Sequence, residues 1–383
     1  MATEKHRERC CEMNIKEINK FYRKLGVPDE FFNPIEMPLS EEIGHYVLLS
    51  ERSTGKTTNV LLWSLCANKV DGITPVYVRH THDSIAPKNL NKLVNVIIDY
   101  GYVEKLTDGV YNTLVYRAGE WRYATEKDGE IVDKSDVIMY ALSIDRAEMY
   151  KSTFNAPHGD IVIYDEFIRD YYSINEFIRF LDLLKTVQRD REGVKVFWLA
   201  NTINAENEYL YELEIHDSVL TLQPGESDVF NTSLGMPIYC KIISNKKLSK
   251  HKKLVNRLLY GFNKPELNSI TGGGWAHSIY PHIDQDDNKT VVSNRHYIRY
   301  MDRLLHLKVV RYQRMTMVEV TRATRTYPDS IIYTDTFPDD FRYRYGRGYT
   351  QGDRMIWDLI DKHMVRFQNN QIAALFYNFE KNI

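Results

Sequence analysis

His45-Tyr46-Val47-Leu48-Leu49 runs directly into Ser50-Glu51-Arg52-Ser53-Thr54-Gly55-Lys56-Thr57-Thr58. The first five residues form a short apolar run, as expected of a parallel strand buried on both faces. The next nine follow the phosphate-loop pattern G-x-x-x-x-G-K-[ST], with Ser50 in place of the first glycine. A helix predicted over about 57–68 begins where the loop ends. Strand, loop and helix N-terminus together suit an anion, because the first N–H groups of a helix lack partners and point outward with the positive end of the dipole. In such a site Ser50, Arg52, Ser53, Thr54, Gly55, Lys56, Thr57 and Thr58 surround the phosphates. Lys56 reaches the β- and γ-phosphates of ATP, and the Thr57 hydroxyl ligates Mg²⁺.

A second apolar strand, Asp160-Ile161-Val162-Ile163-Tyr164, ends in Asp165-Glu166. Carboxylates at the C-terminal end of a buried strand are costly unless a cation or a hydrogen bond meets them, and this edge of an α/β sheet is where ligands bind. The pattern assigns Asp165 to the metal and Glu166 to the attacking water as general base. A strand leaving into a solvated turn would read the same way; the phosphate loop upstream makes the difference. Arg79, at the end of Pro75-Val76-Tyr77-Val78-Arg79, and Asn201, at the end of 194–200, stand at further strand ends and are candidates for phosphate contact.

Strands and helices alternate over 40–205, which argues a doubly wound, mainly parallel sheet. Helices are predicted over 14–25, 89–100 and 174–187, the last with Ile174, Phe177, Ile178, Leu181, Leu184 and Val187 at helical spacing. A hairpin is predicted over 112–124, turning at Ala118-Gly119. Past about residue 225 the texture changes. Lys241, Lys246, Lys247, Lys250, Lys252, Lys253 and Arg257 cluster, and Gly272-Gly273-Gly274 and 284–288 read as hinge or loop. Strand-like runs return at 304–312, 315–320 and 331–334, and a helix over 370–380 closes the chain. The expected organisation is an N-terminal helical extension (1–28), a phosphate-loop domain (29–225), a linker or lid (226–289) and a smaller α+β domain (290–383).

The 383 residues carry 43% hydrophobic and 27% charged side chains, a globular composition. No apolar run reaches the length needed to cross a bilayer. Cys10, Cys11, Cys66 and Cys240 show no metal-ligand spacing, and a reducing, cytosolic setting is expected. The net charge is −2, yet 291–383 hold 15 Lys and Arg against 10 Asp and Glu. Two stretches could meet a nucleic-acid backbone: the 246–253 lysines, and Arg342-Tyr343-Arg344-Tyr345-Gly346-Arg347-Gly348-Tyr349, which interleaves cations with aromatics. Gln188-Arg189-Asp190-Arg191 follows the long helix. An arginine there serves either the helix dipole or, as a finger, a neighbouring subunit's phosphate.

These segments in order resemble the genome-packaging ATPases of φ29-type small podoviruses. The resemblance rests on Phe31-Phe32-Asn33-Pro34, the phosphate loop, Tyr77-Val78-Arg79, Asp165-Glu166-Phe167-Ile168-Arg169, Thr186 through Glu192, Leu199-Ala200-Asn201 and, near the C-terminus, Arg366 through Ile372. It is strong over 31–205 and thin over 290–383. It implies an ASCE-type phosphate-loop ATPase domain and a vestigial RNase H-like C-terminal domain without nuclease activity. It also implies ATP and Mg²⁺ as cofactors, and double-stranded DNA, portal and prohead as partners, with prohead RNA a candidate. The chain would form a homo-oligomeric ring, a pentamer, at the portal vertex in the host cytoplasm, with Arg189 as the finger acting in trans. Another DNA translocase, a helicase, a terminase with a live nuclease (candidate carboxylates Glu319, Asp335, Asp358 and Asp361) and a structural protein with a dead loop are the alternatives.

Overall fold

The computed structural model describes residues 13–50, 54–156, 158–168, 175–189, 191–201, 207–219, 221–244, 281–283, 289–300, 303–312, 315–337, 342–348, 350–368 and 370–383. The chain divides into two compact units, Met1–Ala276 and His277–Ile383. Cys10, Cys11, Ile174, the 246–253 lysines, Arg257, the 272–274 glycines and the 284–288 loop lie outside the described residues.

The first unit contains α1 (Ile15–Leu25), β1 (His45–Ser50), α2 (Lys56–Asp71), β2 (Val76–Arg79), α3 (Pro87–Asp99), α4 (Tyr102–Leu106), β3 (Thr113–Arg117), β4 (Glu120–Lys127), β5 (Glu130–Ser143) and α5 (Ala147–Thr153). There follow β6 (Ile161–Asp165), α6 (Glu176–Gln188), β7 (Lys195–Asn201), α7 (Glu208–Glu212), α8 (His216–Val219), β8 (Ser227–Asn231) and β9 (Pro237–Ile243). The strands form one nine-stranded sheet in the order β3-β4-β5-β2-β6-β7-β1-β9-β8. Its centre, from β5 to β9, is parallel, and antiparallel pairs β3–β4 and β8–β9 finish the two edges. β7 lies between β6 and β1, pairing Asp165 with Leu199 and Ser50 with Asn201. The acidic strand and the phosphate-loop strand are thus held one strand apart, and the expected α/β architecture is met.

Alternation along the strands fills two cores. Tyr46, Leu48, Tyr77, Ile163, Phe197 and Leu199 face one side and pack with α1 to α4. Val47, Leu49, Val78, Val162, Tyr164 and Trp198 face the other and pack with residues of α5 to α8. α2 is enclosed, with Val60, Leu61, Leu62, Trp63, Leu65 and Cys66 all at 0% exposure. Part of that enclosure comes from α1, whose Ile18, Tyr22 and Leu25 are buried, whose N-terminus is capped by Asn14, and which ends at left-handed Gly26 (φ 70°).

Two sequence expectations are corrected here. The sequence reads 226–289 as a linker or lid, yet Ser227–Asn231 and Pro237–Ile243 form β8 and β9, and β9 pairs in parallel with the phosphate-loop strand itself. The alternation in Pro237–Ile243 is masked by Tyr239 and Lys241 in an otherwise apolar run, so only its sheet neighbours identify it as a strand. On α6 the buried face runs through Glu176, Phe180, Leu183 and Val187, whereas Ile178 and Leu181 are exposed. Apolar residues on that helix cover more than one stripe, and packing chose the one that includes a carboxylate.

The second unit holds a six-stranded sheet, β14-β13-β10-β11-β12-β15. β10 (Lys289–Tyr300), β11 (Arg303–Tyr312) and β12 (Met315–Ala323) make an antiparallel meander. β13 (Ile331–Thr334) runs parallel to β10, β14 (Tyr343–Tyr345) parallel to β13, and β15 (Val365–Phe367) parallel to β12. Helices α9 (Gln351–Asp361) and α10 (Asn370–Asn382) contribute Trp357, Phe376 and Phe379 to its core, and Thr350 with Asp353 forms a capping box at the start of α9.

Phe197 stacks on Tyr46 at 5.3 Å and meets Trp63 edge-on at 5.8 Å, at the centre of the first core. Phe197→Ala is expected to cost about 3–5 kcal/mol of unfolding free energy, read as a lower midpoint in urea denaturation with an unchanged slope.

Candidate active site

α2 begins at Lys56 with Gly55 as its N-cap residue and no side-chain cap, so its first N–H groups are left for another partner. Gly55 is left-handed (φ 77°), and a Cβ there would meet Phe31 Cβ at 2.9 Å. This is the loop position that demands glycine. Ser50, by contrast, is the last residue of β1 and is absent from the positive-φ residues. Glycine's freedom is not needed at 50, which is why serine serves there. The buried Ser50 hydroxyl accepts a hydrogen bond from Thr54 Oγ1 at 3.0 Å, tying the two ends of the loop. Phe32 N–H donates to the Thr54 carbonyl at 3.0 Å, and Asn59 Nδ2 donates to the Phe32 carbonyl at 2.6 Å. The Phe31-Phe32 segment therefore braces the loop from outside. Beside it lies a cavity of about 110 Å³ lined by Tyr22, Phe31, Phe32 and Asn33 among others. Thr58 is half-buried on the first turn of α2. Arg52 and Ser53 lie outside the described residues.

Lys56 is buried, and its ammonium donates to the Ala200 carbonyl at the end of β7. Burial pushes it down to about 8, with the Asp165 and Glu166 carboxylates pulling the other way. Thr57 Oγ1 donates to Asp165 Oδ1 at 3.0 Å, and the Tyr77 hydroxyl donates to Oδ2 at 2.8 Å. Arg79 Nη1 sits 3.1 Å from the same Oδ2, while Nη2 pairs with Glu166. Burial works against the Arg79 charge, but Tyr77, Asp165 and Glu166 outweigh it and hold the guanidinium charged. Burial first, then Asp165, raises the Tyr77 phenol well above its usual range, so it stays a donor. Asp165 is 6% exposed at its side chain and Glu166 55%. Glu166 has left-handed backbone (φ 57°), a conformation costing about 1–3 kcal/mol for a non-glycine. It turns the chain sharply out of β6 and leaves the carboxylate facing solvent.

The structure thus brings Ser50, Thr54, Gly55, Lys56, Thr57, Arg79, Asp165, Glu166 and the Ala200-Asn201 strand end to one edge of the sheet. Thr57 and Asp165 offer hard oxygen donors of the kind Mg²⁺ takes. Arg189 is elsewhere. It ends α6 in left-handed backbone (φ 43°) and donates to the Phe154 carbonyl. Nearby Arg191 is bonded to Asp160 at 2.8 Å, before the start of β6 and so at the opposite end of that strand from Asp165. Tyr77 was missed as a site residue. Its signal was positional, two residues before Arg79 and so on the same face of β2.

Lys56 gives a pH test. Its folded value of about 8 lies below the ordinary 10.5, so between these values the unfolded chain binds a proton that the folded chain has lost, and stability rises with pH across that window. Nucleotide-free Lys56→Met should melt above wild type at pH 7, with the gap closing as pH climbs from about 8 towards 10.5. A wild type more stable than the variant at pH 7 would show that Asp165 and Glu166 more than offset the burial of the charge.

No protein-family model matches the sequence, nor does any curated protein. Solved structures do. The Phi-28 gp11 DNA packaging motor superposes with a TM-score of 0.55 at 18% identity, over 92% of this chain and 97% of that one. The bacteriophage Phi-29 viral genome packaging motor assembly gives 0.56 at 18% identity, over 92% of this chain and 99% of that one. At this identity the likeness is one of fold, and it spans nearly the whole of all three chains: this protein has the fold of the Phi-28 and Phi-29 packaging motors.

Proposed function

We propose that this chain hydrolyses ATP with Mg²⁺ to drive double-stranded DNA into a preformed phage prohead, as one subunit of a homo-oligomeric ring. The observation that carries the reading is the pocket in which a buried lysine at a bare helix N-terminus stands with Thr57 bonded to Asp165. Lys56 and the α2 N–H groups neutralise and orient the phosphates. Thr57 and Asp165 would hold Mg²⁺, which when bound withdraws charge from the phosphate oxygens. Glu166 orients a water and takes its proton. Arg79 must leave Glu166 before that carboxylate can act. The pairing of Asn201 with Ser50 in register supports a contact from its amide to the γ-phosphate.

Arg189 is exposed and lies at the far end of α6 from Glu176, whose helix start follows the Asp165-Glu166 edge. It caps α6 beside Arg191, which bonds Asp160 at the other end of β6 from Asp165, a placement compatible with a role in a neighbour's site. In the second unit, a meander followed by two strands parallel to its first strand supports the RNase H-like reading. Glu319 is paired with Lys289 at 2.6 Å and Asp361 with Arg347 at 2.9 Å. Burial raises Asp335, and Asp358 is exposed. Among the described residues no three His, Cys, Asp or Glu side chains gather as a metal site. The ion pairs of Glu319 and Asp361 support the reading without nuclease activity, since two-metal chemistry needs converging, unengaged carboxylates. Arg347 is also bonded to Glu380 at 2.8 Å, so part of its charge is met within its own unit.

Purified protein should release phosphate from ATP faster with DNA, and Lys56→Ala should abolish the release; turnover that survives this change refutes the pocket. Arg189→Ala should lose turnover alone but regain part of it when mixed with Glu166→Gln subunits, because each supplies what the other lacks. With purified proheads, ATP-dependent protection of DNA from nuclease separates a packaging motor from a helicase, which would unwind a tailed duplex without them.

A further inference from the structure

Behind the pocket, on the opposite face of the sheet, Glu176 is buried to 0% exposure at the first position of α6. It occupies a stripe otherwise filled by Phe180, Leu183 and Val187. A buried carboxylate costs several kcal/mol of desolvation, where an apolar residue would cost none. What it offers in exchange is directional bonds. The Tyr209 hydroxyl of α7 donates to Oε1 at 2.7 Å, and the Tyr164 hydroxyl of β6 lies 3.5 Å from it and 2.8 Å from that of Tyr209. His80 Nδ1 is 3.1 Å away, within ion-pair distance though not aligned as a hydrogen bond. Phe167, Phe180 and Trp198 wall the cluster, and low local dielectric strengthens each of these ties.

The elements that Glu176 contacts carry the pocket or follow a strand that does. His80 follows Arg79 at the end of β2, and Tyr164 precedes Asp165 at the end of β6. Successive strand residues face opposite sides, so Arg79 and Asp165 point to the nucleotide while their neighbours point to Glu176. α7 is the helix after β7, whose Ala200 carbonyl accepts from Lys56.

We propose that Glu176 is a positioning residue for the hydrolysis inferred above, on which this proposal rests. From the rear face it fastens the ends of β2 and β6 and the helix after β7, so that Arg79, Asp165 and Glu166 keep fixed places relative to Lys56. Nucleotide binding depends on the loop and on α2, which pack on the other face of the sheet; the placement of the water and its base depends on the strand ends that Glu176 ties.

The test uses full-length Glu176→Gln and Tyr209→Phe, with kcat and KM from steady-state ATP hydrolysis and affinity from titration of a fluorescent non-hydrolysable ATP analogue. Expected is a roughly ten- to hundredfold fall in kcat, the scale of a misplaced catalytic group, with KM and analogue affinity within about threefold of wild type. Tyr209→Phe keeps the ring against Trp198 and removes only the hydroxyl, so it decides alone if Glu176→Gln does not fold. Wild-type kcat in Tyr209→Phe, or a loss confined to KM, overturns the proposal while leaving the ATPase reading intact. A wild-type protein that releases no phosphate overturns the ATPase reading itself, and the positioning role with it.

Discussion

The ammonium of Lys56 is buried where the positive end of a sixteen-residue helix already stands. Two like charges placed together and out of water are unstable unless an anion is near. A carbonyl from β7 and two carboxylates from the end of β6 supply part of that anion. The carboxylates are themselves shared with Arg79, so the compensation is incomplete. A triphosphate would complete it, and the residual positive field at α2 is what suits this edge of the sheet to the nucleotide proposed for it.

Geometry around this constraint follows from strand order. Asp165 can accept from Thr57 because only β7 separates β6 from β1. Arg79 can reach Asp165 and Glu166 because β2 is the next strand on the other side. Asp165 is thus gripped on Oδ1 by Thr57 and on Oδ2 by Tyr77 and Arg79, which leaves its carboxylate one orientation. Glu166 pairs with Arg79 and is more than half exposed. Of the two acidic residues, the buried and triply bonded one suits metal binding and the exposed one the proton transfer proposed for it.

The same alternation that sends Arg79 and Asp165 to the Lys56 pocket sends His80 and Tyr164 to Glu176. The two cores are therefore coupled covalently at each strand end, and a shift of backbone on one face is felt on the other. The second unit is built on a different principle. Its antiparallel meander sets local partners, and its buried polar groups satisfy one another: Tyr333 donates to Asp353 at 2.8 Å while lying 3.1 Å from His296.

Read along the chain, the amino-acid sequence by itself determined the phosphate loop, the acidic pair and the alternation of strand and helix that makes the sheet parallel. These are local signals: a tripeptide after an apolar run, a carboxylate pair after another, and the periods of 2 and 3.6 residues. It also placed the 112–124 hairpin, Ile331–Thr334 and the closing helix. Tertiary structure alone decided which distant residues meet. Arg79 and Asp165 are 86 residues apart, and nothing local says that their strands are neighbours. Only the folded chain showed that glycine is required at 55 and not at 50, because the left-handed turn falls where Phe31 crowds the backbone. It alone recruited 237–243 into the sheet beside β1, and it alone chose the face of α6 that buries Glu176. Each of these is settled by packing against residues remote in sequence, where burial and hydrogen bonding outweigh local preference.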